Sequence, residues 1–282
     1  CLGIGDKAKV RHTAAFCIWT GIIVSLIYGL TIMLIEPILF PILGAKAETW
    51  EYLKKYVFWT IGIGAVPTVM NAEFAHLIRS EGYAKPASFG VALGGILNIA
   101  LDPLFIFVFK LDIVGAAIAT MLSNLIAMLY FIVFLIHIHR KTVITLNPKE
   151  YSVKQRIPLE VITVGLPGFV MTMMSTISNT ALNHIVAGYS NTAIAGMGIA
   201  KKIDLLAYAI AQGMTQGTLP LIGYNYSSGN AKRMKKSIKV AFLYSLIVAV
   251  CGTIFLYFLA APIVKGFISD AETVHYGQKF LK

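Results

Sequence analysis

The sequence predicts an all-α, polytopic membrane protein. It reads as a two-lobe helical bundle built on parallel six-helix repeats, of which these 282 residues hold only part. Three observations carry this. Seven apolar stretches are each long enough to cross a bilayer, which takes roughly 20 residues of helix. The composition is 57% hydrophobic and only 13% charged, unlike a soluble domain. The basic residues also fall in alternate loops.

In chain order, the predicted spans cover residues 14–43, 57–78, 86–109, 113–136, 161–187, 192–226 and 237–264. The first is charge-free apart from Glu36, the second apart from Glu73 and the third apart from Asp102. The fourth and fifth carry no formal charge, the sixth holds Lys201, Lys202 and Asp204, and the seventh only Lys239. Gly188-Tyr189-Ser190-Asn191 separates the fifth from the sixth as a tight turn. Pro67, Pro167 and Pro220 fall inside spans and are expected to break them.

The net charge of +11 would suit a nucleic-acid binder if it were clustered, but it is distributed by loop. Lys7, Lys9 and Arg11 precede the first span. Arg79 and Lys85 follow the second, Arg140, Lys141, Lys149, Lys154 and Arg156 follow the fourth, and Lys232, Arg233, Lys235 and Lys236 follow the sixth. Basic loops stay in the cytoplasm. The first span is therefore expected to run outward in the plasma membrane, with Glu48 and Asp270 outside. The charge reports topology, and no nucleic-acid partner is expected.

Cys1, Cys17 and Cys251 show neither metal nor redox spacing. No phosphate-binding glycine loop, nucleophile elbow or zinc spacing is present, so neither an ATP-driven pump nor a membrane enzyme is expected, and no cofactor. The chain opens on Cys rather than Met and stops inside what reads as another helix, so both ends look cut.

An offset of 224 residues brings the two ends of the sequence into register. Gly5 meets Gly229, Ile23-Val24 meets Ile247-Val248, and Ala47-Glu48-Thr49 meets Ala271-Glu272-Thr273. Six spans separate the copies, and an even number restores the same direction through the membrane. Parallel repeats imply two lobes related by an axis along the membrane normal. The expected organisation is a first lobe at 1–137, a polar cytoplasmic linker at 138–157 and a second lobe at 158–282.

Several local sequences resemble the multidrug and toxic compound extrusion (MATE) transporters. Leu2-Gly3-Ile4-Gly5-Asp6-Lys7 resembles the family's loop after its second helix. Arg79-Ser80-Glu81-Gly82 with Lys85-Pro86 resembles its fourth-to-fifth helix loop. The most specific match is Asn98-Ile99-Ala100-Leu101-Asp102-Pro103 with Gly115-Ala116-Ala117-Ile118-Ala119-Thr120. Gly223-Tyr224-Asn225-Tyr226 with Gly229-Asn230 and Arg233 resembles the loop after the eighth helix. The resemblance places the chain at helices three to nine and the start of ten. It implies an antiporter, monomeric when full length, that exports small amphipathic and often cationic compounds in exchange for protons or sodium ions. The residues matching Asn98, Asp102 and Thr120 belong to the first-lobe cation site of archaeal members.

Read from the residues alone, Asp102 is the most informative side chain. A charge near mid-membrane costs roughly 2.5–3.5 kcal/mol on insertion scales. Asn98 lies one turn before it on the same helix face, and Pro103 removes a backbone donor beside it. Thr120 on the next span adds a hydroxyl. Cation binding is expected here, and a structural polar cluster joining two helices is the alternative. Asn71, Glu73, Asn179, Lys201, Asp204 and Gln212 are the candidates for a substrate cleft between the lobes, with Lys201 and Asp204 spaced to pair. Glu73 and His76 have a di-metal spacing without the second copy such a site needs, so no metal is expected. A lipid-linked oligosaccharide flippase of the same broader superfamily is the rival function.

Overall fold

A computed structural model describes residues 2–42, 49–187, 191–268 and 270–281 of the chain. The side chains of 42, 184, 187, 191–194 and 271 are not described. Glu48, the turn at Gly188-Tyr189-Ser190, Cys1 and the His184 side chain thus lie outside the described part of the chain. The described secondary structure is helical throughout: α1 (Lys7–Ile42), α2 (Trp50–Val57), α3 (Ala65–Ser80), α4 (Ala84–Pro103), α5 (Asp112–His137), α6 (Ile157–Ala187), α7 (Asn191–Ser227), α8 (Ala231–Lys265) and α9 (Ala271–Leu281). They form two compact units, Cys1–Ile157 and Pro158–Lys282.

Five described helices are long and apolar enough to span a bilayer: Lys7–Pro41, Ala84–Val108, Asp112–His137, Ile157–Asn183 and Ala231–Lys265. The second predicted span is bent instead. Trp50–Ile63 and Ala65–Ser80 meet at 45°, with a π-helical segment over Phe58–Ile63. The break falls at Gly64 rather than at Pro67. Pro67 has no N–H to give to the carbonyl one turn back, and its ring crowds that carbonyl, so the strain appears before the proline. Gly64 absorbs it because a Cβ there would lie 2.5 Å from the Thr60 carbonyl oxygen. Pro167 and Pro220 do not end their helices, since α6 and α7 run through them. The sixth predicted span does form one helix of 37 residues. It falls outside the five because Lys201, Lys202 and Asp204 interrupt its apolar run.

In the first unit, Ile18, Met70, Phe74, Ile78, Ala87, Phe131 and Leu135 make a core where α1, α3, α4 and α5 meet. Small residues line the α4–α5 contact: Gly90 and Gly94 face Phe131 and Ala127. Close approach of this kind drives helix association where lipid removes the hydrophobic advantage. Large apolar side chains such as Leu34, Ile99 and Phe107 point outward, as a lipid-facing surface requires. At the end of α1, Glu36 is buried and pairs with Lys54 of α2 at 2.9 Å. The polar stretch after α5 joins this unit. Glu81 accepts a hydrogen bond from the Val143 N–H at 2.8 Å, and Glu150 takes up Arg11 and His12.

The second unit packs α7 against α8 and α9. Gly196 and Gly277 let α7 and α9 approach, with the Gly277 N–H nitrogen 2.8 Å from where a Cβ on Gly196 would stand.

The repeat is visible in the helix starts. Gly5 and Gly229 both adopt left-handed backbone, at φ 75° and 73°, a conformation that glycine alone adopts without a steric penalty. Their N–H groups bond Leu2 O and Tyr226 O, each at 3.1 Å. Asp6 then caps α1 through the Lys9 N–H at 3.0 Å. Asn230 caps α8 through the Arg233 N–H at 3.1 Å. Each of these residue pairs is related by the 224-residue offset.

Candidate cation site

The sequence places Asn98 and Asp102 one turn apart on α4, and the helix delivers them to one side. Asn98 Nδ2 donates to Asp102 Oδ1 at 3.3 Å and reaches Thr120 Oγ1 of α5 at 3.4 Å. All three side chains are half-buried. Local backbone explains the placement. Pro103 ends α4, the Leu104 N–H turns back to Leu101 O, and Leu104–Val108 continue as a π-turn. Lys110 and Asp112 then take positive φ, 55° and 47°, reversing the chain tightly so that α5 returns along α4. Gly115 seals this reversal: a Cβ there would lie 2.8 Å from the Phe105 carbonyl carbon.

The cluster extends further than the sequence reading reached. Asn124, one turn past Thr120, donates to the Thr120 carbonyl at 2.9 Å and accepts from Asn71 Nδ2 of α3 at 2.9 Å. A polar thread therefore runs Asn71–Asn124–Thr120–Asn98–Asp102 across three helices. Asn124 carried a signal: with Thr120 it is an i, i+4 polar pair in an otherwise apolar span. Three carboxamides, one hydroxyl and one carboxylate supply oxygens of the hard type that sodium prefers. Among the described residues no three His, Cys, Asp or Glu side chains gather as a metal-binding group.

The other candidates are dispersed. Glu73, two residues past Asn71, lies about 200° around α3 and faces α1 rather than the thread. In the second unit Asn179 bonds back to the Ser175 carbonyl at 2.9 Å. Lys201 does not pair with Asp204; its Nζ donates to Asn183 Oδ1 of α6 at 2.8 Å. An i, i+3 pair on one helix bends a long lysine back along its own axis, whereas a neighbouring helix offers an acceptor straight ahead. Asp204 is exposed and Gln212 half-buried.

The MatE family model matches residues 1–104 and 167–282. The chain belongs to the MatE family. This MatE chain is 30% identical over 281 residues to the multidrug export protein MepA of Staphylococcus saprophyticus, covering all of itself and 61% of that relative. It thus spans less than two thirds of the relative's length. Among solved structures, it superposes on a MATE crystal structure in the straight conformation with a TM-score of 0.90. That match is at 24% identity and covers 99% of this chain and 62% of that one. An outward-facing multidrug resistance MATE family transporter of the MOP superfamily matches with a TM-score of 0.83 at 26% identity, covering 99% and 65%.

Proposed function

We propose that this MatE chain is the central part of a secondary antiporter that exports small, amphipathic, often cationic organic compounds in exchange for protons or sodium ions. The observation that carries the coupling half is the Asn98–Asp102–Thr120 cluster, a carboxylate within a membrane helix whose neighbours offer further oxygen atoms. The substrate half rests on kinship with MepA, a multidrug export protein. Within the second unit, Asn179, Lys201, Asp204 and Gln212 are the polar side chains offered to the substrate in this reading. Inward flow of a cation supplies energy, with roughly 2.3 kcal/mol per charge for each 100 mV of membrane potential. Antiport requires only that cation and drug favour different conformations, so that each displaces the other.

Expression of the full-length protein should lower cellular accumulation of a cationic dye. In vesicles, an imposed proton or sodium gradient should drive dye movement that collapses with an ionophore. Equal dye levels at matched expression, with and without active protein, overturn drug export. The orientation has its own test. Cysteines placed at Lys149 and Lys235 should be shielded from an impermeant thiol reagent in sealed cells, and one at Glu272 should react, because basic loops resist translocation. Labelling at 149 reverses the topology.

A further inference from the structure

The second unit carries a cleft of about 410 Å³ between α7 and α8, toward the end where the chain turns from one to the other. Its volume falls in the range of small-ligand sites, about 300–1,000 Å³, and its lining is divided by chemistry. Arg233, Lys236 and Ser237 stand nearest the turn, and Val240, Ala241 and Tyr244 follow along the same face of α8, as spacings of three and four residues require. Across from them, Met214, Thr218 and Leu221 repeat that spacing on α7. The hydroxyls of the wall are engaged by their own helices. Thr218 donates to the Met214 carbonyl at 2.8 Å and Ser237 to the Arg233 carbonyl at 3.0 Å. At the far end Ser245 Oγ reaches Met214 Sδ at 3.8 Å. A basic mouth thus opens onto an apolar floor, and Leu221, Val240 and Tyr244 on that floor are exposed.

The charge at the mouth is of one sign. No Asp or Glu occurs between Asp204 and Asp270, while Lys232, Arg233, Lys235, Lys236 and Lys239 fall in the first turns of α8. Cations there face the positive end of the helix dipole, which weakens the helix, and an anion lying against them offsets both. Topology accounts for a basic loop, but not for which face of the helix its charges take. Arg233 and Lys236 belong to the cleft, whereas Lys232, Lys235 and Lys239 do not line it. The length fits a membrane ligand as well. From Arg233 to Tyr244 the helix rises about 16 Å, close to half of the roughly 30 Å hydrocarbon core of a bilayer. Within this unit α9 packs toward the other end of the pair, where Gly196 meets Gly277.

We propose that this cleft binds one anionic phospholipid of the cytoplasmic leaflet, with its phosphodiester on Arg233 and Lys236 and an acyl chain along Leu221, Val240, Tyr244 and Met214. Arginine takes a phosphate through two parallel N–H bonds and lysine takes it as a point charge. The apolar floor receives the chain at the depth it already has in the bilayer. The cytoplasmic leaflet carries the anionic lipids, so the choice of leaflet rests on the orientation proposed above, while the binding does not. A cationic substrate is repelled by the same two side chains, which sets this site apart from the substrate cleft. Bound there, the lipid ties the adjoining ends of α7 and α8 together.

The test uses the full-length protein, stripped of lipid in detergent, with phosphatidylglycerol, phosphatidylcholine of the same chains and glycerol phosphate as probes. Phosphatidylglycerol should raise the unfolding temperature, because a ligand that binds only the folded state stabilises it. The other two should not. Arg233→Gln combined with Lys236→Gln should weaken phosphatidylglycerol binding roughly 25-fold, about fivefold for each cation near an anionic headgroup. Lys232→Gln combined with Lys235→Gln removes the same charge from the same loop outside the cleft, and should bind as the parent does. Should the first pair not fold, Lys236→Gln alone should show the fivefold loss. With the other cysteines replaced, the thiol of Ser237→Cys should react with a maleimide in the lipid-free protein and be protected by phosphatidylglycerol. Equal losses in the two pairs mean diffuse attraction to a charged surface. Equal stabilisation by phosphatidylcholine means a headgroup-blind groove, and stabilisation by glycerol phosphate means a free-phosphate site. A thiol shielded before lipid is added means that another segment of the chain fills the cleft. Each of these outcomes overturns the proposal. None of the readouts involves transport, so failure of the antiport reading leaves this test intact.

Discussion

Asp102→Asn in the full-length protein should lower the gradient-dependent component of dye efflux by roughly 5- to 150-fold, the range that a coupling free energy of about 1–3 kcal/mol spans. Expression and membrane insertion should be unchanged. Asparagine keeps the side-chain shape and the Oδ1 that accepts from Asn98 at 3.3 Å, so packing against α5 survives. What it removes is the negative charge to which the proposed function assigns cation binding. The expected protein is one that still binds dye but no longer responds to a proton or sodium gradient. Asp102→Ala should show the same loss with lower thermal stability, because the Asn98 amide then loses its acceptor. Thr120→Val removes one oxygen only, and its effect should be several-fold rather than complete. Parental efflux by Asp102→Asn, down either gradient, would make Asp102 a structural residue joining α4 to α5.

Much of this arrangement was legible in the residues. The long helices followed from uninterrupted apolar runs. The Asn98–Asp102 contact followed from helical periodicity, since residues four apart share a face. What escaped the sequence was set by tertiary partners. The break near Pro67 fell at Gly64, because a proline strains the turn before it and the nearest glycine yields. Lys201 chose Asn183 on a neighbouring helix over Asp204 on its own, a choice that no spacing rule within one helix decides. The part played by Asn124 depends on Asn71, a partner 53 residues away. Glu73 was visible as a charge in a span, but its place against α1 depended on Gly21, a glycine with no turn or motif to mark it. Charges and periodicity within a helix can be read directly. The small residues that let helices touch are recognised only once their neighbours are known.

The second large effect is expected at such a residue, away from any proposed ligand. Gly115→Val should dismantle the Asp102 cluster without altering a single group in it. The Cβ position at Gly115 lies 2.8 and 2.9 Å from the Phe105 carbonyl carbon and oxygen and 3.1 Å from the Ile106 nitrogen. These are backbone atoms of the π-turn that directly follows Asp102-Pro103, and backbone cannot swing aside as a side chain does. A valine must therefore push α5 away from the turn. Thr120 stands five residues further along α5, about 7.5 Å of rise, and travels with it. Its contact with Asn98 is already 3.4 Å, at the outer edge of hydrogen-bonding distance, so a displacement of a few tenths of an ångström ends it. Overpacking of this kind costs about 1–3 kcal/mol, measurable as a lower unfolding temperature in detergent. Gradient-driven efflux should fall nearly as far as in Asp102→Asn. Gly95→Ala on α4 is the matched control, because nothing lies within 4 Å of its Cβ position. Replacing a helical glycine in open space should be neutral or stabilising by about 0.5–1 kcal/mol. If Gly115→Val matches Gly95→Ala in both unfolding temperature and efflux, the π-turn does not position the site, and the α4–α5 geometry is held by the Gly90–Phe131 contact alone.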